Sequence, residues 1–240
     1  MTRRIDRFYP IVDSAAWVER LVRLGARFIQ LRVKEKPLDV VRVEVRVAKA
    51  ACAPHGAVLV VNDYWQIALE EGCEFVHLGQ GDLDGADVGA LRAKDVQLGI
   101  STHDYAELDR ALSLTPNYIA LGPIYPTVLK QMPWAPQGLY RITEWRQLIR
   151  DIPLVAIGGL TVERLAGVFE AGADSAAVVT DIVRNADPDA RAREWLAATR
   201  STSPDAGARP HPLPRDGTGV HEGTGVPGPV SSFPGRTRDD

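Results

Sequence analysis

The chain has 240 residues, 45% of them hydrophobic and 25% charged, with a formal net charge of -3. These are ordinary globular values, and α/β barrels commonly take about 250 residues as one domain. The balance excludes a global basic footprint for nucleic acid, and no apolar run approaches the ~20 residues of a membrane span.

The N-terminus lacks an apolar signal-peptide core, so a cytoplasmic protein is expected. The 28 basic residues include only five lysines, Lys34, Lys36, Lys49, Lys94 and Lys130. In so arginine-biased a chain, a lysine inside a polar motif stands out.

From residue 8 to about 200, two kinds of segment alternate. Eight short runs read as strands: 8–12 (FYPIV), 28–32 (FIQLR), 57–63 (AVLVVND), 75–79 (FVHLG), 96–101 (VQLGIS), 118–124 (YIALGPI), 153–159 (PLVAIGG) and 175–180 (SAAVVT). Nearly continuous apolar runs of this length are strands buried on both faces, as in a parallel sheet. Amphipathic stretches lie between them. Residues 14–24 place Trp17, Leu21 and Leu24 at helical spacing, and residues 161–171 do the same with Leu165, Val168 and Phe169 behind a capping Thr161. Cys52, late in a helix, and Cys73, just before a strand, lack metal-like spacing and read as buried free thiols of a reducing compartment.

Eight β-then-α units with right-handed crossovers close into a (β/α)8 TIM barrel spanning residues 1–200. An open doubly wound sheet is the alternative, but no Gly-x-Gly-x-x-Gly follows the first strand. The tail 201–240 is dense in proline and glycine and repeats GTGV. It is expected to be disordered, because it has too little apolar surface to offset its ordering entropy.

In a parallel barrel, chemistry sits at the C-terminal ends of the strands. The second strand ends in Gln30-Leu31-Arg32-Val33-Lys34, where alternation puts an amide and two cations on one side. A guanidinium with an ammonium suits a phosphate or diphosphate. The third strand ends at Asn62-Asp63, and the fourth leads to Asp82. Each aspartate alone could be a helix N-cap. Together with the strand-2 cations they suit magnesium, which takes one or two carboxylates plus substrate phosphate oxygens. Ser101 ends the fifth strand, followed by His103 at a helix start, a position more typical of a structural histidine than of a base. A long loop follows the sixth strand with Thr127 and Lys130, and long βα loops are often functional. Gly159 ends the seventh strand, and Val179 and Thr180 the eighth, where barrels usually bind phosphate. Two anion sites are therefore expected: a metal–diphosphate site near strands 2–4 and a monophosphate site near strands 6–8.

Taken in order, QLRVK (30–34), VNDYW (61–65), VHLGQGD (76–82), LGISTH (98–103), LGPIYPTVLKQMPWAPQGL (121–139), VAIGG (155–159) and AAVVTDI (176–182) resemble the thiamine-phosphate synthase family over roughly residues 8–197. The resemblance implies a (β/α)8 barrel joining hydroxymethylpyrimidine diphosphate to a thiazole phosphate, with magnesium as cofactor. It implies that Arg32, Lys34 and Lys130 hold the diphosphate with help from Ser101, and that Asp63 and Asp82 hold the metal. Gln30 and Asn62 would face the pyrimidine; Thr127, Gly159, Val179 and Thr180 would line the thiazole-phosphate side. Partners would be these small molecules, and a homodimer is compatible with the sequence. One position departs from the pattern: Leu129 stands where the family usually has a hydroxyl residue before the loop lysine, and it cannot donate to a phosphate. Two alternatives are a thiazole tautomerase relative, which shares the barrel but needs no clamp of the Gln-x-Arg-x-Lys kind, and a non-catalytic binder of thiamine phosphate, which Leu129 alone favours.

Overall fold

The structure, a computed structural model, describes residues 5–127 and 134–201. Eight parallel strands form a closed barrel in sequence order, with the eighth paired to the first. They are β1 (Phe8–Val12), β2 (Phe28–Leu31), β3 (Val58–Asn62), β4 (Phe75–Leu78), β5 (Gln97–Thr102), β6 (Tyr118–Leu121), β7 (Leu154–Ile157) and β8 (Ser175–Val178). Each lies inside or within a residue of the run read from sequence. Every residue of β1, β2, β3, β4, β6 and β8 is buried. One face fills the barrel interior and the other packs under the helices, so an alternating polar face has no place in these strands.

The helices are α1 (Ala15–Leu24), α2 (Leu38–Cys52), α3 (Trp65–Glu70), α4 (Val88–Ala93), α5 (Tyr105–Ser113), α6 (Gly138–Ile149), α7 (Leu165–Glu170), α8 (Thr180–Val183) and α9 (Pro188–Ser201). On α1 the buried stripe is Ala15, Val18, Leu21 and Val22, with Trp17 and Leu24 only partly buried beside it. The buried face of the helix is thus centred on Val18 and Leu21, turned from the face expected. Thr161 does not cap α7 with its side chain. It is extended, and a 3-10 turn (Val162–Arg164) precedes the helix. Asp63 is likewise not an N-cap, since α3 starts behind Tyr64 with no side-chain cap. Cys52 and Cys73 are free and buried. Burial pushes the Cys52 thiol up to about 12 and the Cys73 thiol up to about 11, so neither is a reactive thiolate at neutral pH. No helix among the described residues is long and apolar enough to cross a membrane.

Two clusters divide the core. The larger lies between strands and helices and includes Trp145 and Trp195, both fully buried. The smaller fills the barrel interior with Tyr9, Phe28, Phe75 and Tyr118 among others. Their rings meet edge-on or tilted at centroid distances of 4.6 to 6.3 Å, the geometry that ring quadrupoles favour. This aromatic layer closes the barrel below the site and makes it a floor, not a pore.

Candidate active site

A cavity of about 420 Å³ opens at the C-terminal ends of the strands, and all eight strands or the loops behind them contribute to its wall. One side is charged. Beyond β2, Val33 is buried while Arg32 and Lys34 line the cavity. The alternation expected of an extended segment thus carries past the strand end. Lys34 Nζ contacts Asp63 Oδ2. Asp63 has a φ of 65°, a left-handed conformation uncommon for a residue with a side chain. It is held there by its N–H donating to the His77 carbonyl at 2.9 Å and by the Trp65 N–H donating to its own carbonyl at 2.8 Å. Such local strain at a cavity wall is the kind that clusters at functional sites.

Asp82 lies beside Asp63 and accepts from the Gly79 N–H at 3.1 Å. Its carboxyl is pushed above the usual range, first by burial and then by the neighbouring Asp63 charge. Two neighbouring carboxylates, with Lys34 as near countercharge, form a donor set suited to a cation. Among the described residues no group of three or more histidine, cysteine or acidic side chains gathers. Two carboxylates without a full protein cage match the open coordination magnesium uses with phosphate ligands.

The opposite side is built from backbone and small side chains. Gly159, Val179 and Thr180 line it, with Thr127 nearby. Gly159 has a φ of 64°, and a Cβ there would stand 2.5 Å from the Pro126 carbonyl oxygen. Only glycine lets the end of β7 and the loop behind β6 lie this close. That loop is zipped to β7 by Ile124 N–H to the Ile157 carbonyl, 2.9 Å, and Tyr125 N–H to the Gly158 carbonyl, 3.0 Å. Lys130 and Leu129 lie outside the described residues.

All the remaining residues read from the sequence line the cavity except Gln30. Gln30 is buried below it and donates from Nε2 to the Tyr9 hydroxyl at 2.7 Å. Asn62 is buried at the wall, and its Nδ2 has no partner among the described residues. A buried donor left unpaired is unfavourable by about 1–3 kcal/mol unless a ligand accepts from it. His103 lines the rim, its Nδ1 2.7 Å from Glu107 Oε2 and its ring stacked on Trp134 with centroids 4.1 Å apart. The imidazole is thus occupied by a hydrogen-bond partner and an aromatic neighbour.

Three further residues contribute that are not singled out by the sequence pattern. Gln80 donates from Nε2 to the Ser101 carbonyl at 2.7 Å, bridging β5 and the loop after β4. Trp134 returns to the cavity from the far end of the long loop. His77 reaches Ser101 Oγ from Nε2 at 2.8 Å and the Tyr118 hydroxyl from Nδ1 at 2.8 Å. Burial pushes its pKa down to about 4, so the ring is neutral at neutral pH. It sits within an apolar-looking run, VHLG, whose only signal was a polar residue at an inward register.

A cationic and acidic wall facing a glycine-lined wall, at the mouth of a closed parallel barrel, stands where α/β-barrel enzymes hold their small-molecule substrates. The sequence profile of the thiamine monophosphate synthase family matches residues 8–182, and the chain belongs to that family. It is 59% identical over 196 residues to a thiamine-phosphate synthase of Rhizobium etli, covering 82% of this chain and 96% of the relative. It is 46% identical over 200 residues to one from Klebsiella pneumoniae, covering 83% of this chain and 92% of the relative. Among solved structures, a thiamine phosphate pyrophosphorylase from Pyrococcus furiosus superposes with a TM-score of 0.72 at 23% identity, over 81% of this chain and 96% of that one. At that identity the last match speaks for the fold.

Proposed function

We propose that the protein is a transferase that joins hydroxymethylpyrimidine diphosphate to a thiazole phosphate, giving thiamine phosphate and free diphosphate. Family membership supports the class of reaction. The observation that supports the reading is that residues suited to two anions line one cavity: Arg32 and Lys34 beside Asp63 and Asp82 on one wall, Gly159, Val179 and Thr180 on another.

In this reading the C–O bond to the diphosphate breaks with its electron pair leaving on oxygen. The thiazole nitrogen then donates its lone pair to the resulting pyrimidinylmethyl cation. No proton changes place at the new C–N bond, so no side-chain base is needed, and the engagement of His103 with Glu107 and Trp134 is consistent with that. Arg32 and Lys34 stabilise the charge that grows on the leaving group, with Lys130 assigned the same task from the loop. Ser101 adds a hydroxyl donor. Asn62 offers its unpaired amide to a ring acceptor. Asp63 and Asp82 fit a magnesium ion, which when bound would supply further charge neutralisation to the diphosphate. Holding both reactants in one cavity removes part of the entropic barrier. Gly159 and Thr180 bind the second phosphate through backbone and hydroxyl groups.

The test is a two-substrate assay following thiamine phosphate and diphosphate, with and without magnesium. Product is expected only with both substrates, and strongly reduced after chelation. Lys34→Ala or Asp63→Ala should lower turnover by about 10- to 100-fold, the size of one lost charge-assisted contact. His103→Ala should change it far less. A folded protein that forms no product refutes the reading, and equal losses in all three variants refute the assigned roles.

A further inference from the structure

Below the cavity runs a chain of four buried or half-buried hydrogen bonds that the proposed reaction does not use. Gln30 Nε2 donates to the Tyr9 hydroxyl at 2.7 Å, the Tyr9 and Tyr118 hydroxyls are 2.8 Å apart, Tyr118 is 2.8 Å from His77 Nδ1, and His77 Nε2 is 2.8 Å from Ser101 Oγ. The five residues sit on β2, β1, β6, β4 and β5, so the chain crosses the barrel interior. It ends at Ser101, which with His77 lines the cavity.

The barrel is shaped to allow it. In register, Gly99 lies between His77 on β4 and Tyr118 on β6. A Cβ at Gly99 would stand 2.0 Å from Tyr118 Cζ, so the absent side chain is the gap occupied by the tyrosine ring. Through that gap the His77 and Tyr118 rings stack at 5.6 Å and 15°. Strands that do not pair with each other thereby exchange a side-chain hydrogen bond.

The chain also has a direction. A phenol has one proton, and an imidazole that is neutral has one N–H. Gln30 Nε2 can only donate. Tyr9 accepts from it, and its own proton has Tyr118 as the acceptor within reach among the described residues. Tyr118 then donates to His77 Nδ1, which fixes the Nε2–H tautomer, and His77 donates to Ser101 Oγ. The Ser101 proton is left for the cavity. With the opposite polarity and Gln30 as placed, Tyr9 would bury a proton with no acceptor, which is unfavourable.

The geometry points to Tyr118 and Tyr9 as positioning residues: through His77 they hold the Ser101 hydroxyl as a hydrogen-bond donor aimed at the leaving diphosphate. This rests on the reading of Ser101 as a diphosphate contact. A donor oriented before the reaction needs no reorganisation as charge develops, so its effect falls on the chemical step.

The test is a double-mutant cycle on the full chain with both substrates. Tyr118→Phe removes one oxygen from a residue that does not line the cavity. It should lower kcat about tenfold while KM for each substrate moves less than about twofold. Added to Ser101→Ala it should cause no further loss, since the hydroxyl it orients is gone. Tyr9→Phe should act in the same direction and repeats the cycle should Tyr118→Phe not fold. Independent losses that multiply, or an unchanged kcat, overturn the inference, because a merely structural tyrosine would behave that way. Nitrogen-15 NMR of histidine-labelled protein gives a readout separate from activity: His77 should be the Nε2–H tautomer. An Nδ1–H tautomer overturns the chain's polarity even if the enzyme is active, whereas absence of product with the expected tautomer strikes at the proposed function and leaves the chain intact.

Discussion

Gly99→Ala adds one methyl group at the point where the barrel has no room for it. The added carbon would lie 2.0, 2.3 and 2.5 Å from three ring atoms of Tyr118, all nearer than real Cβ contacts come. The ring cannot step aside cheaply. Tyr118 is fully buried, with the Tyr9, Phe28 and Phe75 rings at 6.0, 6.2 and 6.3 Å. Overpacking of this kind destabilises by about 1–3 kcal/mol. If the ring leaves, the bonds to Tyr9 and His77 are lost and buried polar partners remain, at about 1–3 kcal/mol each. The lower backbone entropy of alanine in the unfolded chain offsets about 0.4–1 kcal/mol. The net expectation is a loss of about 3 kcal/mol, or a melting temperature lower by about 6–12 °C for a domain of this size. Calorimetry or a denaturant titration measures it. In a Tyr118→Ala background the added methyl meets no ring, and the same step should fall below about 1 kcal/mol. A single variant within 1 kcal/mol of wild type, or an equal penalty in both backgrounds, would refute the close approach of β5 and Tyr118.

Two further predictions concern α8 and α9, behind the end of β8. Arg191 clasps Asp181 through Nε at 2.8 Å and Nη2 at 3.2 Å, and both side chains are largely buried. Asp181 also accepts from Trp195 Nε1 at 2.7 Å and follows Thr180, which lines the cavity. Arg191→Met should cost about 2–3 kcal/mol by removing that carboxylate's guanidinium partner, and should raise KM for the thiazole phosphate more than for the diphosphate substrate; Glu194→Gln, at an exposed partner of the same arginine, should cost under about 1 kcal/mol. The Arg191 fork, with Thr161, also holds the Glu163 carboxyl down to about 2. A carboxyl lowered on folding stabilises above its ordinary value near 4.5 and loses that contribution as pH falls towards 2. The stability difference between wild type and Glu163→Gln should therefore be full above pH ~5 and shrink through pH 4 to 2; a difference that grows with acid would contradict the pairing.

The strands were legible because each is an apolar run too short for a helix and bounded by polar or glycine residues. The inward pair Arg32 and Lys34 was legible because alternation along an extended segment is a local property. Asp63, Asp82, Ser101 and Gly159 were found by their position at strand ends, which a parallel barrel turns into cavity wall. His77 was not found: in a run buried on both faces, one polar residue reveals neither its partner nor its depth. Gln30, expected at the cavity, lies a layer lower, since alternation gives the side a residue faces and not its height above the barrel floor.

The order and number of strands, the class of fold and the charged character of the mouth were thus set by the sequence, since each follows from the periodicity and chemistry of neighbouring residues. The tertiary structure alone decided which side chains meet inside. Tyr9 and Tyr118 are 109 positions apart and touch because the sheet closes on itself, and His77 reaches Tyr118 because the strand between them has no side chain at Gly99. Such contacts depend on closure and register, which place residues by distance through the barrel instead of distance along the chain.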